Sequence, residues 1–139
     1  MYKKILCTIA AFILCTNIVF ADFKNVIKDI DAISNSLNTI FISTLKDDEY
    51  TKVEDNIKFI QSQISSEKNE ILKEFEKSIN KERVSYLSLL SVLNYYETSI
   101  LELQNYYQEK NNQSFITSVS AFNEGYSIFE TVKARLNYK

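Results

Sequence analysis

No proline occurs in the 139 residues of this chain, and its one glycine is Gly125. Proline and glycine are the main punctuation of turns, hairpins and bulges. A chain almost without them has few places to reverse sharply, which excludes a many-turned β fold and favours long helices. The apolar residues agree. Phe23, Val26, Ile27, Ile30, Ile33, Leu37, Ile40, Phe41 and Leu45 follow one another in steps of mostly three and four, the spacing that gathers side chains on one helical face. Val53, Ile57, Ile60, Ile64, Ile71, Phe75 and Ile79 form a second stripe, and Phe115, Val119, Phe122, Tyr126, Phe129, Val132 and Leu136 a last one.

Polar stretches separate the stripes. Lys46-Asp47-Asp48-Glu49 places acids where the first turn of a helix favours them. Asn111-Asn112-Gln113 reads as a turn, with Ser114 as the expected N-cap. The spacing thus predicts helices over about residues 23–46, 49–79, 83–110 and 114–137. They form one all-α domain, 22–139, folded as an up-down-up-down antiparallel four-helix bundle. A repeat of about 3.5 residues implies coiled-coil-like, left-handed supercoiling. The boundary at Asn80-Lys81-Glu82 has no strong stop signal, so one continuous helix over 49–110 is the architectural alternative.

The first 21 residues read differently. Lys3 and Lys4 precede an apolar run from Ile5 to Leu14, and Val19-Phe20-Ala21 ends in a small residue before Asp22. This is the layout of a cleavable signal peptide, and it implies a periplasmic or secreted protein with no integral span after cleavage. The apolar run falls short of the roughly 20 residues of a spanning helix, although Ile5–Ala21 is nearly long enough for a retained anchor. Leu14 is too large for the position preceding a lipidated cysteine. Cys7 and Cys15 both lie in the leader, so the mature chain lacks thiols and disulfides and depends on helix packing alone.

Composition removes much chemistry. There is no histidine, the commonest general base and metal ligand. Without mature cysteine, thiolate catalysis, structural zinc and iron–sulfur clusters are excluded as well. One glycine cannot make a phosphate-cradling loop. Loss of Lys3 and Lys4 with the leader leaves 14 basic against 18 acidic side chains, a net charge of -4 instead of -2. Both signs are interleaved, with no basic stripe for nucleic acid. Glu67, Glu70 and Glu74 share a helix face but read as a solvated surface with Lys73 and Lys77. No metal, cofactor or catalytic residue is expected.

The third helix is the unusual one. On a helical wheel its inward stripe contains Tyr86, Leu89, Leu90, Leu93, Tyr96, Ile100, Leu103 and Tyr107, with Leu87, Val92 and Leu101 widening it. Asn94-Tyr95-Tyr96 recurs as Asn105-Tyr106-Tyr107, which puts Tyr95 and Tyr106 on the opposite side beside Glu102. Exposed aromatics at this spacing suit a protein partner. A turn centred between Asn111 and Asn112 would set Glu97 opposite Tyr126, as a buried hydrogen-bonded pair. Gly125 is then expected mid-helix, with Tyr96 or a neighbouring ring over its backbone. With no histidine, stability should be nearly flat from pH 5 to 8 unless a carboxylate is buried, Glu97 being the first candidate. These features point to an exported, non-enzymatic protein that binds another protein, an envelope or interaction factor. The alternative is a carrier holding a small apolar ligand among Phe41, Phe59, Phe75, Tyr96, Phe122 and Phe129.

Overall fold

A computed structural model describes the backbone of residues 2–46 and 48–136, and the side chains of 23–46, 48–80 and 82–136. Four helices follow one another: α1 (Tyr2–Leu45), α2 (Tyr50–Lys77), α3 (Asn80–Glu109) and α4 (Asn112–Arg135). Sequential neighbours pack antiparallel. The expected leader and its cleavage site lie outside the residues whose side chains are described. Among the described residues, no helix is long and apolar enough to cross a membrane.

The α2–α3 boundary is a break, not the continuation that the alternative reading allowed. Ser78 and Ile79 are both extended, with ψ of 154° and 160°. Two consecutive extended residues reverse the chain without glycine or proline. The junction is tied by Ser78 Oγ donating to Phe75 O at 2.8 Å, and by the Ile79 N–H donating to the Glu82 carboxylate at 3.4 Å. The α3–α4 turn is tighter. Lys110 takes the left-handed conformation at φ 54°, and its N–H closes on Tyr106 O at 2.8 Å. Asn111 then caps α4, its side chain accepting from the Gln113 N–H at 2.9 Å. Ser114, the expected cap, instead lies inside α4 and is buried.

The core runs the length of the bundle. Ile27, Ile30, Leu37, Ile57, Ile71, Leu89, Leu93, Tyr96, Ile100, Leu103 and Phe129 are fully enclosed. The four helices do not pack evenly. α3 and α4 approach most closely, because their seam is built from small residues: Ser99 on α3, and Ser118, Ala121 and Gly125 on α4. Ser118 Oγ donates to the Ser99 carbonyl at 2.6 Å across it. α3 also reaches α1 across the bundle's diagonal, whereas no α2 Cα comes within 8 Å of an α4 Cα among the described residues.

The tyrosine ladder and its surroundings

The repeated Tyr-Tyr pairs lie where α3 meets two helices at once. Their second members point into the core. Tyr107 shares a hydrogen bond of 2.8 Å with the buried Thr44 hydroxyl of α1. Tyr96 is fully enclosed, with the buried Ser34 hydroxyl of α1 as the polar group on its side, though the contact falls short of full hydrogen-bond geometry. Burial pushes the Tyr96 hydroxyl up to about 12. One rung lower, Tyr86 stacks on Phe23 of α1 at 4.4 Å between ring centroids. Tyr86–Phe23 and Tyr107–Thr44 have the same separation of 63 residues, so α1 and α3 run parallel across the diagonal in one register. Phe122 joins this ladder from α4, stacked on Tyr96 at 5.5 Å and edge-on to Phe41 at 5.4 Å.

The first members of the pairs do not form an outward face, because α4 lies on that side of α3. Tyr106 is half-buried, its ring 5.4 Å from Phe115. Tyr95 crosses the α4 backbone with its Cβ beside Gly125, and only the rest of its side chain reaches solvent. Glu102 is half-buried. Of the three residues expected to bind a partner, Tyr95 keeps a substantial exposed surface. Gly125 is mid-helix as expected. A Cβ built there would lie 2.8 Å from Tyr96 Cε1, 2.9 Å from Tyr96 Cδ1 and 3.0 Å from Tyr95 Cβ.

Glu97 and Tyr126 are not a buried pair. Glu97 turns to α2, where Lys68 forms its ion pair. Tyr126 is 43% exposed and stacks on Phe122 at 6.0 Å. Glu97 lies on the side of α3 that meets α2, and the turn is displaced as well. It occupies Lys110 and Asn111, one residue earlier than expected, and moving an antiparallel turn by one residue moves each facing partner by two. Gly125 therefore faces Tyr96, and Tyr126 is carried towards the outside. Phe59, expected in the aromatic interior, is 60% exposed, one position off the stripe formed by Ile57, Ile60 and Ile64.

The buried acid is a different one. Glu67, on α2, is only 7% exposed, and its Oε1 has no hydrogen-bond partner among the described residues. Burial, then the nearby charges of Asp29 and Glu70, raise its pKa to about 7. The Glu67–Glu70–Glu74 row is thus not uniformly solvated. Glu74 pairs with Lys77 at 2.7 Å, Glu70 is exposed and Glu67 is enclosed. Among the described residues, no group of three or more acidic, histidine or cysteine side chains could hold a metal ion.

Two exposed helix faces carry no charge: one on α4, through Gln113, Ile116, Ser120, Asn123, Ser127, Thr131 and Ala134, and a longer one on α3. Val84, Leu87, Ser91, Asn94, Thr98, Leu101, Asn105 and Gln108 are all exposed on α3, at alternating steps of three and four, and none is charged. Their span of about 24 residues extends about 36 Å along the helix. Ser91 and Thr98 donate to the carbonyls of Leu87 and Asn94, both at 3.0 Å, and the neighbouring Ser88 to Val84 at 2.8 Å. The hydroxyls are thereby turned back onto their own helix. Leu87 and Leu101 are each 51% exposed on this face. A separate notch of about 440 Å³ opens at the end of the bundle, lined by Thr44, Leu45, Tyr106, Asn112, Phe115 and Ile116. No protein family, curated protein or solved structure matches the chain significantly.

Proposed function

We propose that this is an exported, non-enzymatic protein whose work is to bind another protein, and that the uncharged outer face of α3 is the surface it uses. The observation carrying this reading is a long uncharged helix face on which two leucines, Leu87 and Leu101, are each 51% exposed. About a quarter of the chain is charged, yet this long strip of exposed helix carries no charge. Covering such a face strands no ion, and the side chains of Ser91 and Thr98 already have hydrogen bonds. Desolvation costs less than on a charged face, provided the partner bonds the exposed amides of Asn94, Asn105 and Gln108. Leu87 and Leu101 offer apolar anchors, and Tyr95 stands at the edge as an aromatic one. The partner that fits is a helical or flat protein surface that is itself uncharged and apolar at its centre. Export rests on the leader-like residues 1–21.

The test places charge on the face without touching the core. Leu87→Lys with Leu101→Lys should leave helicity and unfolding nearly unchanged, since exposed substitutions usually stay within about 0.5 kcal/mol. It should abolish co-purification of a cross-linked partner from the native envelope or medium fraction. Thr51→Lys with Ser62→Lys, on exposed positions of α2, should not. Equal binding by both double variants would remove the α3 face from consideration.

The carrier reading would have to move from the bundle core to the end notch, a solvent-open space of about 440 Å³ where Thr44 and Asn112 stand beside Leu45, Phe115 and Ile116. Ile116→Trp would fill it. A fluorescent apolar probe displaced by that substitution would support the carrier, and a probe that never binds would end it.

A further inference from the structure

Gln63 and Glu67 stand one helical turn apart on α2, at a spacing that makes their side chains neighbours. Each keeps one oxygen sealed from solvent. Gln63 Oε1 and Glu67 Oε1 both lack a hydrogen-bond partner among the described residues. Two buried acceptors one helical turn apart, neither with a donor, is an arrangement that folded proteins avoid. Turning the Gln63 amide about would offer Glu67 an N–H, but it would leave the buried charge of Glu67 and the repulsion from Asp29 and Glu70 in place.

The surrounding charges narrow the choice. From α1, Asp29 faces Glu67, and from its own helix Glu70 does so; both are negative. The neighbouring cation on α2, Lys68, is turned to Glu97 of α3. From α3, Arg83 lies over the Phe75 ring at 5.1 Å, two turns along α2 from Glu67. No α4 Cα comes within 8 Å of an α2 Cα among the described residues, and no α4 charge is among those acting on Glu67. No cationic side chain among the described residues answers Glu67, and no carboxylate cluster there suits a metal. A proton fits. It would cancel the buried charge, relieve the repulsion from Asp29 and Glu70, and turn one of the two acceptors into a donor.

We propose that Glu67 is a neutral carboxylic acid in the folded bundle, its O–H donated to Gln63 Oε1, and that loss of this proton loosens α1 from α2. The chain would then contain a pH switch built without histidine. Once ionised, the carboxylate sits between the buried Ile64 and Ile71 on the same helix, beside an amide oxygen and two like charges. Its unfavourable contacts fall mainly on the seam with α1, where Asp29 resides.

The folded-state pKa of about 7 stands above the ordinary 4.5, so the folded chain binds the proton more tightly than the unfolded chain. The stability this contributes is fully present below about 4.5, and is lost as pH rises to about 7. Denaturant unfolding of the full chain should therefore give an unfolding constant that grows roughly ten- to hundredfold between pH 5 and pH 8. Glu67→Gln keeps an N–H for Gln63 Oε1 and carries no titrating proton. It should flatten that rise and be the more stable protein at pH 8. Asp29→Asn, an exposed change, should lower the carboxyl-carbon NMR midpoint of Glu67. Either a Glu67 midpoint in the ordinary carboxylate range or an unchanged slope in Glu67→Gln would overturn the proposal. So would stabilisation by calcium or magnesium at pH 8 in the native sequence but not in Glu67→Gln, which would make the missing partner a cation.

Discussion

Gly125 costs α4 about 1 kcal/mol of helix propensity relative to alanine, and the Tyr96 ring is what it gains in exchange. The ring lies so close that a methyl group would stand 2.8 Å from it. Tyr96 cannot step aside, because it is fully enclosed and stacked on Phe122. Gly125→Ala should therefore destabilise the protein despite its better propensity, by about 1–2 kcal/mol, since overpacking a tight site costs about 1–3 kcal/mol. Urea midpoints measure this directly, and a stabilised Gly125→Ala would show that the α3–α4 seam yields easily. Gly125 was legible from sequence because a lone glycine within a strong stripe has few explanations besides close approach. Glu67 was not. Its place in a Glu–Glu–Glu row looks solvated, and its enclosure depends on where α1 lies, which no property of α2 encodes. Glu97, the acid expected to be buried, escaped because Lys68 meets it from a different helix.

At the scale of elements, the stripes agree to within a few residues with α2, α3, α4 and the end of α1, since each apolar face must be covered and the period marks which side that is, whereas α1 begins at Tyr2 and not near Phe23. The turns were harder. Lys110, not a glycine, takes the left-handed position, so the usual signal for a helix end is missing there. Asn111 outcompetes Ser114 as the cap because the chain has already reversed by then. That one-residue difference takes Tyr126 out of register with Glu97, which in any case faces Lys68 on α2. The same turn supplies a test. Asn111→Ala removes the side-chain acceptor for the Gln113 N–H and should cost about 1 kcal/mol. Asn111→Asp should restore most of it, because aspartate caps equally well and favours a helix N-terminus. If Asn111→Ala is silent in denaturant unfolding, the turn is held by Lys110 over the Tyr106 and Tyr107 rings instead.

Across the whole molecule, α3 is the element the others are assembled on. It meets α4 through small residues, α2 through the Glu97–Lys68 and Gln104–Gln61 contacts, and α1 through its tyrosines. The wheel matches the buried stripe at Tyr86, Leu89, Leu93, Tyr96, Ile100, Leu103 and Tyr107, but it places Leu87 and Leu101 inward, where each is 51% exposed, and the α4 side in solvent, because a helix touched by three neighbours has only one free face and sequence alone cannot say which. That free face is uncharged and exposes Leu87 and Leu101, so the helix that organises the fold also presents the surface proposed for binding. The uneven packing carries a dynamic consequence. Amides in the middle of α3 and α4, beside Ser99, Ser118 and Gly125, should exchange only by global unfolding, because opening there breaks the tightest seam. The α1–α2 junction has less to hold it. Leu45 is largely exposed, and Glu49 makes no side-chain cap. The amides from Ser43 to Lys46 and from Asp48 to Val53 should therefore exchange earlier, by local opening, in mass-spectrometric hydrogen exchange on the native chain. Equal protection at this junction and in the α3–α4 seam would mean that the bundle opens only as one unit, and that the closeness of α3 and α4 carries no energetic weight of its own.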